Sequence, residues 1–171
     1  DYIVGSSTAN VITGKAGVDT LTGGLGEDTF VFSDTEATDV ITDFTTADDV
    51  MNFVQTTFAV ESADGDLADA NEAVTVAGAV GDLAGSLNVA NDLIILTDTT
   101  GFTNANLVTS IDGVAAGDAL IVYFDSATSL VTLAYDNDIN DGTVSVDIAT
   151  FSGIAAADIA ASIVVADFAL I

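Results

Sequence analysis

The N-terminal part of the chain repeats itself every nine residues, and this period constrains the fold more than any other feature. Three in-phase repeats begin at Gly5, Gly14 and Gly23. In each repeat a polar residue precedes an apolar residue by two positions, and Asp1 and Ile3 follow the same rule. Asp1 to Ile3 are therefore expected to be part of a further repeat. Short repeats of this kind stack, because a single repeat cannot bury its apolar residue alone.

Each repeat divides into a six-residue turn and a three-residue strand. Glycines allow positive φ in the turn and let carbonyl oxygens point inward, while the strand contributes one apolar side chain to a narrow core. The turns close with Asn10, Asp19 and Asp28. A hard cation such as calcium takes several carboxylate and carbonyl oxygens at once, and stacked turns supply both. The repeats therefore predict calcium binding.

These repeats resemble the RTX family, whose consensus is G-G-x-G-x-D-x-U-x, where U is a large apolar residue. The third repeat matches it in full, at Gly23, Gly24, Gly26, Asp28 and Phe30. The second repeat lacks only the second glycine, where Lys15 stands, and the first is degenerate, with Thr8 in place of a glycine. The resemblance implies a parallel β-roll with calcium bound between turns on the same side.

The resemblance also implies that one ion is shared by turns two repeats apart. Asp19 would share an ion with the turn of Asp1 or with the segment after Val31, and Asp28 would be linked to Asn10 or to later carboxylates. Backbone carbonyls would complete the coordination. The implied metal ligands are Asp1, Asn10, Gly14, Ala16, Asp19, Gly23, Leu25, Asp28, Asp39 and Asp43.

The segment 38–53 is similar to the sequence that commonly ends such a roll. In that interpretation Asp39 and Asp43 complete the last ion sites, while Ile41 and Phe44 close the end of the core. The alternative is an ordinary strand with its aspartates on the solvated face and Val40 or Phe44 packed.

Composition excludes several classes of function. The chain has 27 acidic residues, one basic residue, no histidine and no cysteine. A nucleic-acid or anionic membrane surface would be repelled, because binding to either requires several Lys or Arg. Imidazole bases, catalytic triads and thiolate metal sites are also excluded. Half the residues are hydrophobic, so there is enough apolar material for a core in spite of the net charge of −26.

After residue 90 the pattern becomes that of strands. Short apolar or alternating runs predict a strand at 93–96 and a meander of three antiparallel strands over 119–151. A short helix is expected within 102–111. In the tract 54–90, apolar residues spaced three and four apart predict a helix over 73–87, which three glycines weaken.

One later turn offers a second candidate ion site. Asp136, Asp138, Asn140 and Asp141 place four oxygen-bearing side chains within six residues. Gly142 falls one place late for an EF-hand loop, and no glutamate follows at the twelfth position. Turns are also rich in Asp and Asn for backbone reasons alone. Both interpretations stay open.

The C-terminal part carries a second resemblance, to the targeting region of bacterial type I secretion substrates. The meander and the final segment, in which Asp167 precedes four apolar residues, are typical of such regions. The resemblance implies an uncleaved export signal that follows the roll, and partners that include the type I secretion machinery.

Together these features predict a mainly β protein: a short parallel β-roll of nonapeptide repeats followed by a mostly antiparallel β-sheet or sandwich with one or two short helices. The expected divisions are 1–53 for the roll and its cap, 54–90 for a linker and helix, and 91–171 for a secretion-type domain. The expected function is calcium-dependent folding and secretion of an extracellular or cell-surface protein, without enzymatic activity. Upstream domains of the same protein are further expected partners. The alternative is a self-assembling, calcium-bridged subunit of a surface layer, filament or matrix, or an adhesin-type protein.

Overall fold

The computed structural model describes residues 1–60, 73–76, 92–99, 101–103, 107, 117–138 and 145–171. The described chain is mainly β, which confirms the predicted fold class. Its strands are β1 (Tyr2–Val4), β2 (Val11–Ile12), β3 (Thr20–Thr22), β4 (Thr29–Phe32), β5 (Asp39–Ile41), β6 (Val50–Phe53), β7 (Ala73–Val76), β8 (Leu93–Leu96), β9 (Ala119–Asp125), β10 (Leu130–Asp136), β11 (Val146–Phe151) and β12 (Phe168–Leu170).

The first six strands form a parallel roll. The odd strands β1, β3 and β5 are neighbours in one sheet, and the even strands β2, β4 and β6 are neighbours in the other. Successive strands therefore alternate between two sheets, because every turn reverses the chain and delivers the next strand to the opposite side. This arrangement follows directly from the nine-residue period.

One apolar side chain per strand builds the core of the roll. In the odd sheet Leu21 lies in register with Ile3 on one side and Ile41 on the other. In the even sheet Phe30 lies in register with Ile12 and Met51. Ile3, on the outermost strand, is half-buried, whereas the five other members of these two rows are buried. The core is thus open at the β1 end and closes along the roll.

The C-terminal residues continue both sheets of the roll. Strand β11 pairs in parallel with β5, and β12 pairs in parallel with β6. Phe151 falls in register with Ile41, and Phe168 with Met51, so the two apolar rows end in aromatic rings. The strand orders are β1-β3-β5-β11-β10-β9-β8-β7 and β12-β6-β4-β2.

The predicted meander over 119–151 is confirmed. Strand β10 pairs antiparallel with β9 and with β11, and the second pairing contains a register shift at Leu133/Ala134. The predicted strand at 93–96 is also present, but β8 is parallel to both of its neighbours, β7 and β9. The large sheet is therefore mixed.

The helix predicted over 73–87 is wrong at its first residues. Ala73–Val76 form strand β7, which pairs in parallel with β8 along its whole length. Valines at alternate positions favour a strand, and the glycines that follow weaken a helix. The remainder of that prediction, 77–87, lies outside the described residues. Of the helix expected within 102–111, Leu107 is helical and buried, and its amide donates to the Thr103 carbonyl at 2.9 Å.

Aromatic rings fill the end of the roll where β11 and β12 join it. Phe53 stacks on Phe168 with ring centroids 5.9 Å apart, and Phe58 meets Phe53 edge-on at 5.4 Å. Phe44 packs edge-on against Phe151 at 5.6 Å. Ile41 and Phe44 are both buried, as expected for residues that close the core. Within the described ranges no helix is long and apolar enough to cross a membrane.

Candidate metal sites

The turn-closing acids lie in two columns, one along each sheet of the roll. In one column the Asp19 amide donates to Asp39 Oδ1 at 3.0 Å. In the other, the Asn10 amide donates to Asp28 Oδ1 at 2.8 Å, and the Asp28 amide donates to Asp49 Oδ1 at 3.0 Å. Each bond joins turns on the same side, so the structure brings together the residues that the sequence pairs two turns apart.

Asp19 and Asp39 meet around Gly14. A methyl group added at Gly14 would lie 2.7 Å from Asp39 Oδ2 and 2.8 Å from Asp19 Oδ2. Asp19 is 2% exposed, and its Oδ2 has no hydrogen-bond partner within the described structure. A buried, unpartnered carboxylate oxygen is costly unless a cation satisfies it. The donor set therefore fits a hard cation such as calcium.

The pKa of Asp39 also indicates that a cation would stabilise this pair of carboxylates. Burial raises the pKa of Asp39, and with the charges of Asp19 and Asp34 it brings this pKa to about 6, although the hydrogen bond from the Asp19 amide opposes the shift. Asp39 is 7% exposed, so the alternative that places it on a solvated face is wrong. A cation between the two carboxylates would favour the ionised form of Asp39.

A second cluster of oxygens lies between the first and third turns. A methyl group added at Gly5 would lie 2.6 Å from Asn10 Oδ1 and would overlap the carbonyl oxygen of Gly23. Asp28 is 1% exposed, and a methyl group added at Gly23 would overlap its Oδ2. The Asn10 amide oxygen and the Gly23 carbonyl oxygen thus lie beside Gly5, and the Asp28 carboxylate lies beside Gly23. All three are calcium ligands by type.

The turn conformations explain the glycine positions. Gly24 and Gly26 have φ of 103° and 108°, and Gly17 has φ of 110°. Lys15, which stands where the consensus has its second glycine, also adopts positive φ, at 66°. The second turn therefore keeps the backbone that the repeat requires, in spite of its non-glycine residue.

Asp43 lies at the end of the roll in a different environment. The Gly23 amide donates to its Oδ1 and the Gly24 amide to its Oδ2, each at 2.8 Å. Both oxygens thus contact the backbone of the third turn. Asp43 as a metal ligand stays a prediction.

Sequence reasoning missed Asp49. This residue is 4% exposed and occupies the place of the turn-closing acid before β6. The signal was present, because Asp49 precedes the apolar Met51 by two positions, as Asp28 precedes Phe30. The nine-residue phase does not reach Asp49, because the acids are nine residues apart in the repeats but eleven apart between Asp28 and Asp39.

In the part of the chain that the structure describes, no three acidic side chains lie close enough to hold a metal by themselves. A cation would therefore also need backbone carbonyls. Those of Gly14, Ala16 and Leu25, and the carboxylate of Asp1, stay predicted ligands. Within the candidate turn 136–141, the carboxylate of Asp136 accepts from the Asp138 amide and the Ser145 hydroxyl. Residues 139–144 lie outside the described residues.

The fold and these oxygen clusters together define a calcium-binding parallel β-roll. Residues 1–31 match the family model of the RTX calcium-binding nonapeptide repeat, in four copies. This part of the chain is therefore an RTX repeat region, which confirms the resemblance, and calcium is its ion. No curated protein matches the chain. The repeats indicate an extracellular RTX-type protein.

Proposed function

We propose that this chain is the calcium-dependent folding and C-terminal targeting region of a protein exported by a type I secretion system, and that it has no enzymatic activity. The observation that carries the proposal is the Asp19 Oδ2 atom, which is buried without a partner beside Asp39 Oδ2. Without calcium this arrangement opposes folding. With calcium, the free energy of ion binding becomes free energy of folding.

Because calcium is scarce in the cytosol, these carboxylates would keep the roll unfolded there. Carboxylates crowded in the roll, on a chain of net charge −26, repel one another when no divalent ion is bound. The roll would then stay unfolded before export and fold in calcium-rich surroundings. Sites of extracellular modules bind calcium with Kd of about 10⁻⁴–10⁻³ M, well above cytosolic concentrations.

Calcium-titrated circular dichroism tests the folding part of the proposal. We expect the far-ultraviolet strand signal to rise with calcium and to be lost in EGTA. Asp39→Asn should shift the midpoint to higher calcium, because it removes a charged ligand. Asp48→Asn is the matched control, since Asp48 is exposed in the same roll. Equal signals with calcium and with EGTA would refute calcium-dependent folding.

The targeting part requires a variant that spares the fold. Phe168 is buried in β12, so changing it would disturb the roll as well as any signal. Ile171 follows β12 and its side chain is 56% exposed. We expect Ile171→Asp to reduce export of a passenger fused before residue 1 and to leave calcium-induced folding intact. Undiminished export would count against a signal in the terminal residues.

A structural role is the second candidate, and exposed apolar side chains favour it. Tyr2 and Val4 on β1 are 74% and 60% exposed, and Val11 on β2 is 75% exposed. Both strands are edges of their sheets, and exposed edges can pair with another chain. Light scattering separates the candidates: calcium-dependent growth in mass supports a self-assembling subunit, and a monomer at millimolar calcium opposes it.

A further inference from the structure

The turns of the roll lie in two columns whose members are joined differently. One column consists of turns 14–19 and 33–39, and the other consists of turns 5–10, 23–28 and 43–49. In the first column the Oδ2 atoms of Asp19 and Asp39 lie together beside Gly14, and Asp19 Oδ2 has no hydrogen-bond partner within the described structure. In the second column, hydrogen bonds connect each turn to the next. The two columns therefore differ in their need for a cation.

The turn 5–10 is held by its own polar side chains. The Ser6 amide donates to Asn10 Oδ1 at 2.6 Å, and the Asn10 side-chain nitrogen donates to the Ala9 carbonyl at 3.1 Å. The Thr8 amide donates to Ser6 Oγ at 3.3 Å, and the hydroxyl oxygens of Ser6 and Thr8 are 3.1 Å apart. Ser, Thr and Asn side chains stabilise turns through such local bonds. The Asn10 oxygen thus already accepts a hydrogen bond from within its own turn.

The turns 5–10 and 23–28 pack backbone against backbone. The Leu25 amide donates to the Ser6 carbonyl at 3.1 Å. A methyl group added at Gly26 would lie 2.8 Å from the Ala9 nitrogen, so the absence of a side chain allows this close approach. A methyl group added at Gly17, the corresponding glycine of the first column, has no described atom within 4 Å. Direct contact between turns is therefore a property of the second column.

Two carboxylates join turn 23–28 to turn 43–49. Two consecutive amides of the third repeat, those of Gly23 and Gly24, donate to the two oxygens of Asp43 at 2.8 Å each. Adjacent amides of this kind form an anion-binding concavity. The two oxygens of Asp49 accept from the Asp28 amide at 3.0 Å and from an amide of its own turn at 2.8 Å. Backbone amides thus satisfy both carboxylates without a cation.

The oxygens beside the first glycine of a turn also differ between the columns. Beside Gly14 they belong to two carboxylates. Beside Gly5, which has the same place in its repeat, the nearest described oxygens are those of the Asn10 amide and the Gly23 carbonyl, and both are uncharged. Asp28 Oδ1 accepts from the Asn10 amide, and its Oδ2 lies beside Gly23. Because calcium affinity depends on the number of charged ligands, the first column is the stronger site.

We propose that, within the roll, calcium binds only in the column of turns 14–19 and 33–39, and that hydrogen bonds alone join the turns of the other column. This inference rests on the proposed calcium-dependent folding. It departs from the ligands that the repeats imply, because it makes Asn10, Gly23, Leu25, Asp28 and Asp43 hydrogen-bonding residues. An ion in one column still orders both sheets, because turn 14–19 joins β2 to β3 and turn 33–39 joins β4 to β5.

Anomalous scattering from calcium, in crystals of the whole chain grown with the ion, locates each site directly. We expect a calcium peak beside Gly14, between turns 14–19 and 33–39. We expect no peak between turns 5–10 and 23–28 or between turns 23–28 and 43–49, and a peak at either place would overturn the proposal. The lack of a peak in both columns would instead refute calcium-dependent folding of the roll, on which the proposal rests.

The number of ions bound at saturating calcium, measured by equilibrium dialysis, gives an independent readout. Asp28→Asn should bind as many ions as the wild type, because an asparagine oxygen can still accept from the Asn10 amide. Asp39→Asn should bind fewer, because it removes a charged ligand. Asp48→Asn is the matched control, since Asp48 is exposed. A reduced count for Asp28→Asn, or a full count for Asp39→Asn, would overturn the proposal.

A second variant keeps this count informative if Asp28→Asn does not fold in calcium. Asn10→Ala then replaces it, since Asn10 is only half-buried and its loss removes the contact with the Ser6 amide. We expect Asn10→Ala to bind the full number of ions and to unfold at lower urea than the wild type. A reduced count would make Asn10 a ligand and would overturn the proposal.

Discussion

Gly14→Ala tests the ion site at the point where its two carboxylates meet. The added methyl group would lie 2.7 Å from Asp39 Oδ2 and 2.8 Å from Asp19 Oδ2. Gly14 does not have positive φ, so the backbone itself accepts alanine. The effect of the substitution should therefore come from the space between the two oxygens.

The expected loss of calcium affinity follows from the crowding between these two carboxylate oxygens. Carbon and oxygen cannot approach to 2.8 Å, and the two carboxylates have little room to move, because Asp39 Oδ1 is fixed by the Asp19 amide and both residues are buried. Overpacking of this kind costs about 1–3 kcal/mol. Each 1.4 kcal/mol is a factor of ten in affinity, so calcium binding should weaken by about tenfold to a hundredfold.

Calorimetric titration with calcium measures this change directly. Gly117→Ala is the control, because no atom of the described residues lies within 4 Å of a methyl group added there, and Gly117 does not have positive φ. We expect the control to bind as the wild type does. An affinity of Gly14→Ala equal to that of the control would show that Asp19 and Asp39 do not hold an ion at this point.

Three further predictions concern single residues. Lys15→Gly should raise the urea midpoint in calcium by the equivalent of about 1 kcal/mol, because Lys15 has φ of 66° and glycine adopts that conformation without strain; an unchanged midpoint would contradict this. Phe53→Ala should cost about 3–5 kcal/mol, because Phe53 is fully buried and packs against three rings; a urea titration showing under about 1 kcal/mol would contradict the packing. In EGTA, burial raises the pKa of Asp39 to about 6 from 3.8, so its contribution to folding is complete below about pH 4 and is lost as pH rises through 6, by at most about 3 kcal/mol. The strand signal of the wild type in EGTA should therefore be larger at pH 4 than at pH 7, by more than in Asp39→Asn, and an equal change in the two proteins would refute the shift.

The regular part of the fold could be predicted from the sequence because it is local. A nine-residue period fixes which residue of each turn faces the core, and the apolar residues at positions 3, 12, 21 and 30 do occupy the two rows. The same period placed Asp19 and Asp28 at the ends of their turns. Residues two turns apart then meet because alternate strands belong to the same sheet.

The end of the roll could not be predicted in this way, because its contacts are distant in sequence. Asp49 lies outside the nine-residue phase, and nothing in the local pattern shows that β12 pairs with β6. The helix expected at Ala73–Val76 failed for a similar reason. Pairing with β8 decided the conformation of that segment, and tertiary pairing overrides a weak helical pattern.

The place of β12 links export to folding. Its residues are the apolar terminus that resembles a targeting signal, yet in the folded chain they pair with β6 and bury Phe168 against Phe53. A transporter that recognises this terminus in extended form would therefore compete with the pairing to β6. We therefore expect export to respond to the stability of this pairing: Asp49→Asn, which removes an acceptor of the Asp28 and Thr45 amides before β6, should speed export of a fused passenger, and slower export would show that the transporter recognises the folded end of the roll.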